Sequence, residues 1–150
     1  MEKTVTIFIK GKQEYDQQPS DSMELVTQGT LRCESEGYTL SYQESEVTGM
    51  EGTQTTIQVD NNGQCVTLMR SGGFNSQMVF EEGRRHLSMY STPYGAMAIG
   101  VNTRHLLAEL EEKSGCIEVD YTIEVEHAAV SRNLFQVKFK EAAPGGSLKQ

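Results

Sequence analysis

The sequence predicts an all-β fold, an antiparallel up-and-down meander of about 8–10 strands closed into a barrel. Three observations carry that prediction. Apolar and polar residues alternate with period two through most of the 150 residues, the pattern of strands with one face buried and the other solvated. Turn dipeptides and glycine-rich punctuation recur at short spacing, which leaves room for hairpins but not for long crossovers. Hydrophobic residues make up 37% of the chain and charged residues 23%, a polar balance that suits a thin-walled β structure with much solvated face. A meander of hairpins has two exposed edges, and closing it into a barrel removes both.

Strands are expected near 3–13, 22–33, 37–47, 52–60, 64–71, 74–81, 84–91, 95–110, 115–127 and 130–140. The first begins at once, since Met1-Glu2-Lys3-Thr4-Val5 enters the alternation directly. In the third, Tyr38, Leu40 and Tyr42 share a face with Glu44. Gly49-Met50-Glu51-Gly52 turns the chain into the fourth, and Asn62-Gly63, the dipeptide preferred where both central residues need positive φ, joins the fourth to the fifth. There Val66 and Leu68 share their face with Arg70. After Ser71-Gly72-Gly73 the sixth strand sets Phe74, Ser76, Met78 and Phe80 against Asn75, Gln77 and Val79. Past Glu82-Gly83, the natural core face of the seventh is Leu87 and Met89, which leaves Arg84, His86, Ser88 and Tyr90 outside. Bulges that reverse this register would turn Tyr90 and Gln77 inward.

Thr92-Pro93-Tyr94-Gly95 marks a sharp change of direction into the eighth strand. Its second half, "RHLLAELEEKSG" (104–115), would also suit a short helix with Leu106, Leu107 and Leu110 on one stripe and Gly115 as its cap. A hairpin into 116–126 uses the same glycine, which favours a strand. "EVDYTIEVE" (118–126) places Val119, Tyr121, Ile123 and Val125 opposite Glu118, Asp120, Thr122, Glu124 and Glu126. "NLFQVKFK" (133–140) sets Phe135, Val137 and Phe139 against Gln136, Lys138 and Lys140, so a hairpin would lay acidic beside basic side chains. The barrel domain is therefore expected over 1–141, followed by a flexible Pro/Gly/Ser-rich tail at 142–150.

Several function classes fall away. A net charge of -8 opposes a phosphate-backbone partner, so neither nucleic acid nor an anionic membrane is expected. No apolar run approaches a membrane span and the N-terminus has no signal core, which makes the cytoplasm the expected location. Cys33, Cys65 and Cys116 form no Cys-x-x-Cys, and an odd count fits reduced thiols. His86, His105 and His127 lie on separate strands without metal-ligand spacing, so no metal or cofactor is expected. There is no Gly-x-Ser-x-Gly elbow, and Ser71-Gly72-Gly73 leads into a strand instead of a helix with Lys-Ser/Thr. No catalytic residue is assigned.

A barrel of this size has an interior that is either packed or holds one small ligand. The candidate site takes Tyr42, Met69, Phe74, Met78, Phe80 and Tyr90 as apolar walls, with Arg70 and Glu44, and Asn75, Gln77 and Tyr94 near the mouth, orienting a polar head. A buried Arg70 needs an acidic partner, with Glu44 or Glu46 available; at a barrel mouth both charges would instead be solvated. Three functions follow: binding of a small apolar or amphipathic molecule; a filled barrel that docks a partner or a second copy as a homodimer; or an enzyme with Glu44 as acid or base beside Arg70.

At "ELVTQGTL", "LSYQESEVTGMEGTQTTIQV", "VTLMRSGGFNSQMVFEEGRRHLSMYSTPYGAMAIGV" and "VDYTIEV" the chain closely resembles the YwiB-like family of Firmicutes, a domain of unknown function with a calycin-like (lipocalin-like) β-barrel. The resemblance runs from about residue 3 to 140. It includes Tyr42, Glu44, Thr48-Gly49-Met50-Glu51-Gly52, Met69-Arg70-Ser71-Gly72, Asn75-Ser76-Gln77-Met78 and Thr92-Pro93-Tyr94-Gly95. It implies a barrel able to hold a small apolar or amphipathic ligand, and it brings no activity. True lipocalins carry Gly-x-Trp near the first strand and a secretory signal, whereas this chain has no tryptophan.

Overall fold

The computed structural model describes residues 2–15, 20–45, 49–73, 75–92, 95–125 and 128–142, with the side chains of 90–92 outside the description. Ten strands follow in chain order: β1 (Glu2–Tyr15), β2 (Asp21–Glu34), β3 (Gly37–Gln43), β4 (Thr53–Asp60), β5 (Val66–Gly72), β6 (Ser76–Phe80), β7 (Arg85–Thr92), β8 (Gly95–Leu110), β9 (Ser114–Val125) and β10 (Ala128–Glu141). Each pairs antiparallel with its neighbour in sequence, and β1 also pairs with β10 from Val5↔Glu141 to Tyr15↔Ser131, which closes the barrel. The all-β meander of the sequence reading is therefore the fold, and no helix occurs among the described residues.

The alternation works as expected through most of the wall. Leu31 faces Leu40, Leu40 faces Ile57, Ile57 faces Leu68 and Val66 faces Phe80 in successive ladders. This band meets Val5, Ile7, Ile117, Val137 and Phe139 to form a core that excludes water almost completely. It fills the half of the barrel nearer the β2–β3, β4–β5, β6–β7 and β8–β9 connections. The opposite end, where β1 passes to β2, β3 to β4, β5 to β6, β7 to β8 and β9 to β10, is the mouth.

Residues 104–110 are strand, not helix. A bulge between Thr103 and His105 switches the parity of β8, so Val101 and Thr103 face inward before it and Leu106, Ala108 and Leu110 face inward after it. That switch gives "RHLLAEL" its helix-like spacing of leucines, and Leu107 is left on the outer face. At 61–65 the connection is longer than a two-residue turn: Gly63 has φ 68°, while Asp60 Oδ1 accepts the N–H groups of Gln64 at 2.8 Å and Cys65 at 3.2 Å.

One strand reads the opposite way to its sequence pattern. The core face expected at Leu87 and Met89 is the solvent face, where they are 72% and 59% exposed, while Ser88 is buried. The cause lies in the next strand. β7 pairs with β8 through His86↔Val101 and Ser88↔Ile99, and the buried Ile99 and Val101 impose their parity on β7. On its other side β7 meets β6 in register only at Ser76↔Tyr90 among the described residues, so β6 exerts little control over it. The expected tail, apart from Ala142, lies outside the described residues, as do Phe74, Tyr94, Glu46 and His127.

Candidate functional site

The mouth end of the interior carries the polar residues that the core end lacks. β3 to β6 supply one wall: Tyr42 stands opposite Thr55, Thr55 opposite Arg70, and Arg70 opposite Ser76. Successive antiparallel registers thus put four polar side chains in one row around the barrel. Gly29 of β2 ends the row across from Tyr42. A Cβ at Gly29 would lie 2.3 Å from the backbone oxygen of Ser41 and 2.5 Å from Ile7 Cδ1, so a glycine here permits the close approach of β2 to β3 and the core.

Glu44, just beyond β3, turns its carboxylate into the row. Its side chain is 1% exposed and lies 3.8 Å from Arg70 Nε, whose side chain is 16% exposed. The Thr55 hydroxyl donates to this carboxylate, and the Tyr42 hydroxyl hydrogen-bonds it as well. Burial, followed by the adjacent Glu44 charge, pushes the Tyr42 hydroxyl far above the ordinary tyrosine range, so it remains a donor. Arg70 and Glu44 therefore adopt neither sequence alternative in pure form: they are paired, and the arginine borders open space.

That space is a cavity of about 540 Å³. Arg70 and Asn133 are polar members of its lining, with Met78, Ile99, Tyr121 and Ile123 supplying much of the apolar wall. Tyr121 packs on Phe80 with ring centroids 4.8 Å apart. Its hydroxyl is pushed up to about 12 by burial, with the positive charge of Arg70 opposing the shift from across the barrel. Arg70 Nε and Ser76 Oγ are buried and have no hydrogen-bond partner among the described residues. Two such groups side by side in one register pair are unusual, because each unpaired buried donor costs on the order of 1–3 kcal/mol.

The sequence-predicted site residues separate into groups. Tyr42, Glu44, Arg70, Met78 and Phe80 face inward, and of these Arg70 and Met78 line the cavity while Phe80 supports Tyr121. Met69 and Gln77 do not join them. They face each other across β5 and β6 on the outer side, because each alternates with an inward neighbour. Asn75 is exposed and closes the β5–β6 turn, exchanging hydrogen bonds of 3.3 Å with the backbone of Gly72. Tyr90 stands opposite Ser76 and Met97 by backbone register; Phe74 and Tyr94 lie outside the described residues.

Sequence reasoning missed Thr55, Ser76, Tyr121 and Asn133 as members of the site. The available signal was parity, since Asn133 alternates in phase with Phe135 and Val137, and Tyr121 with Val119 and Ile123.

The outer wall holds a comparable concavity of about 560 Å³ across β1, β2 and β8 to β10, bordered by Lys10, Lys12, Glu24, Glu118 and Asp120. Of its charges, Asp120 pairs with Arg132 Nη2 at 3.0 Å and Lys12 with Glu14 at 3.5 Å, and none of its lining residues is among the buried groups without a hydrogen-bond partner. No group of three His, Cys, Asp or Glu side chains among the described residues is placed to hold a metal ion. Cys33, Cys65 and Cys116 are free and half-buried, and burial raises the thiols of Cys65 and Cys116. No helix among the described residues is long and apolar enough to cross a membrane.

Comparison with known proteins agrees with this architecture. The solved structure of YwiB protein from Bacillus subtilis superposes with a TM-score of 0.81 at 21% identity, covering 95% of this chain and 94% of that one. At that identity the likeness is one of fold. No curated protein matches the chain. Residues 7–137 match the family described as a domain of unknown function, DUF1934. The alternating strands, the closed ten-stranded meander and that match together place the chain in the DUF1934 family.

Proposed function

We propose that this protein binds a small amphipathic molecule in the mouth half of its barrel, with the apolar body against Met78, Ile99, Tyr121 and Ile123 and the polar head at Arg70 and Ser76. The observation that carries this reading is Arg70 at the wall of a cavity of about 540 Å³, its buried Nε, like the neighbouring Ser76 Oγ, without a hydrogen-bond partner among the described residues. A pocket of several hundred Å³, largely apolar with a few convergent polar groups, has the size and chemistry of small-molecule sites. An acceptor oxygen on the ligand beside Arg70 would satisfy its Nε, which offsets the cost of burying that donor.

Glu44 fits a positioning role. Its carboxylate is engaged by Thr55 and Tyr42 and holds the Arg70 side chain from one side. Because Glu44 balances the arginine, the interior has little net charge, and the head group is selected by its acceptor atoms more than by its charge. An enzymatic reading finds less support, since the hydroxyls beside Glu44, those of Thr55 and Tyr42, are buried and do not line the cavity.

Native mass spectrometry of protein purified gently from its own host, followed by denaturing release, tests the proposal. A stoichiometric small molecule is expected, and the Arg70→Met variant should retain less than a tenth of it. An empty protein that also binds neither a fluorescent fatty acid nor a fluorescent fatty alcohol at millimolar concentration would overturn it.

A further inference from the structure

Arg70 and Glu44 carry opposite charges and are placed differently with respect to the cavity. Arg70 lines it, whereas Glu44 stands behind, its side chain 1% exposed and 3.8 Å from Arg70 Nε. The hydroxyls of Thr55 and Tyr42 are hydrogen-bonded to the Glu44 carboxylate and hold it against the wall. The arginine therefore offers donors to the cavity while its counter-charge stays out of a ligand's reach.

The far wall is polar without being charged. Asn133 donates to Ser131 Oγ at 3.1 Å, and both side chains are buried. Tyr121 stands beside Asn133 in register, and Thr103 beside Tyr121; the buried Thr103 hydroxyl has no hydrogen-bond partner among the described residues. Lys12 and Asp21, the other charged members of the described lining, are exposed at the mouth and opposite in sign.

Resting on the ligand-binding reading above, we infer that this cavity selects amphiphiles with a neutral head, a hydroxyl or an amide, over carboxylates and amines of the same chain, and that Glu44 sets the selection. An anionic head beside Arg70 would meet the Glu44 charge a few ångströms further on, so attraction by one is opposed by repulsion from the other. It would also give up its hydration, which costs an ion far more than a neutral group. The net charge of -8 further lowers the concentration of anions around the chain. A cationic head gains no compensation, because the guanidinium stands between it and Glu44. A neutral oxygen meets none of these penalties and still accepts from Arg70. Glu44→Gln keeps the size of the side chain and an accepting oxygen for Thr55 and Tyr42 but removes the counter-charge. Arg70 then acts as a net cation at the cavity wall, and carboxylates become the favoured class.

The test is fluorescence titration with a fatty alcohol, primary amide, carboxylate and amine of one chain length, each bearing the same terminal fluorophore. At about pH 7 and about 0.15 M salt the last two probes are ionised. The wild type is expected to bind the alcohol and the amide at least about tenfold more tightly than the carboxylate and the amine. In Glu44→Gln the carboxylate should gain about tenfold or more relative to the alcohol, a reversal that a merely structural role for Glu44 does not produce. A wild type that binds the carboxylate as tightly as the alcohol, or a folded Glu44→Gln that weakens all four probes alike, overturns this inference and leaves the pocket itself standing. Failure of both proteins to bind any of the four overturns the pocket and the inference together. If circular dichroism shows that Glu44→Gln does not fold, the wild-type ratio decides alone.

Discussion

The two halves of the barrel interior are built from the same strands by opposite rules. At the closed end, neighbouring registers bring aliphatic onto aliphatic, Leu31 to Leu40 to Ile57 to Leu68, and the result is a packed core without a charged member. At the mouth, the same ladders bring Tyr42 to Thr55 to Arg70 to Ser76, with Glu44 turned in against them. The first arrangement gains free energy with every side chain buried. The second gives part of that gain away, since buried polar groups must be desolvated and Thr53 Oγ1, Arg70 Nε and Ser76 Oγ find no hydrogen-bond partner among the described residues. The apolar packing thus belongs to one end and the polar row to the other.

The contrast is broken most severely by removing a ring from the closed end. Phe80 is 1% exposed, and Phe80→Ala is expected to cost about 3–5 kcal/mol, a fall of about 10 °C in melting temperature for a chain of this size. A change below 1 kcal/mol in urea unfolding would show that the core is not packed as described.

A smaller effect is expected at the mouth. Glu44→Ala leaves Arg70 beside an empty, half-desolvated site and should destabilise by about 1–3 kcal/mol, the lower part of the range for broken buried pairs because Arg70 borders the cavity. Adding Arg70→Met to Glu44→Ala should recover much of the loss, since removing both charges also removes the uncompensated one. A double variant less stable than Glu44→Ala alone would mean that the pair stabilises the barrel outright.

The smallest effect sharpens the comparison by pH. Tyr121 ionises at about 12 when folded, raised above its ordinary value of 10.0 chiefly by burial. The unfolded chain therefore loses this proton first, and its contribution to stability is intact below pH 10 and declines as pH rises toward 12. At pH 11 the loss is about 1 kcal/mol. Tyr121→Phe should flatten the alkaline fall measured by urea titration at successive pH values. An unchanged slope in that variant would place the tyrosine in water.

Legibility in the sequence follows from how local each feature is. Period two along a strand is local, so nearly every strand of the meander could be read from the letters. Arg70 was readable as an inward residue because Val66 and Leu68 share its face, and Glu44 because Tyr38, Leu40 and Tyr42 share its own. What failed was the strand whose own pattern disagreed with its neighbour: β7 carries Leu87 and Met89 at positions that pairing with Ile99 and Val101 turns outward. Met69 and Gln77 face outward, away from the interior expected of them, for a related reason. Their chemistry suggested a pocket, but they alternate with Leu68 and Arg70 and with Ser76 and Met78.

The sequence by itself determined the class of fold, the strand order and the candidacy of Arg70 and Glu44, because backbone alternation and turn chemistry act over a few residues. Only the tertiary structure decided that Thr55, Ser76 and Tyr121 stand with them, that β8 changes parity at a bulge, and that Leu87 faces out. Those outcomes depend on register between strands distant in sequence, and register is set by the combined burial of a whole sheet and not by any one strand.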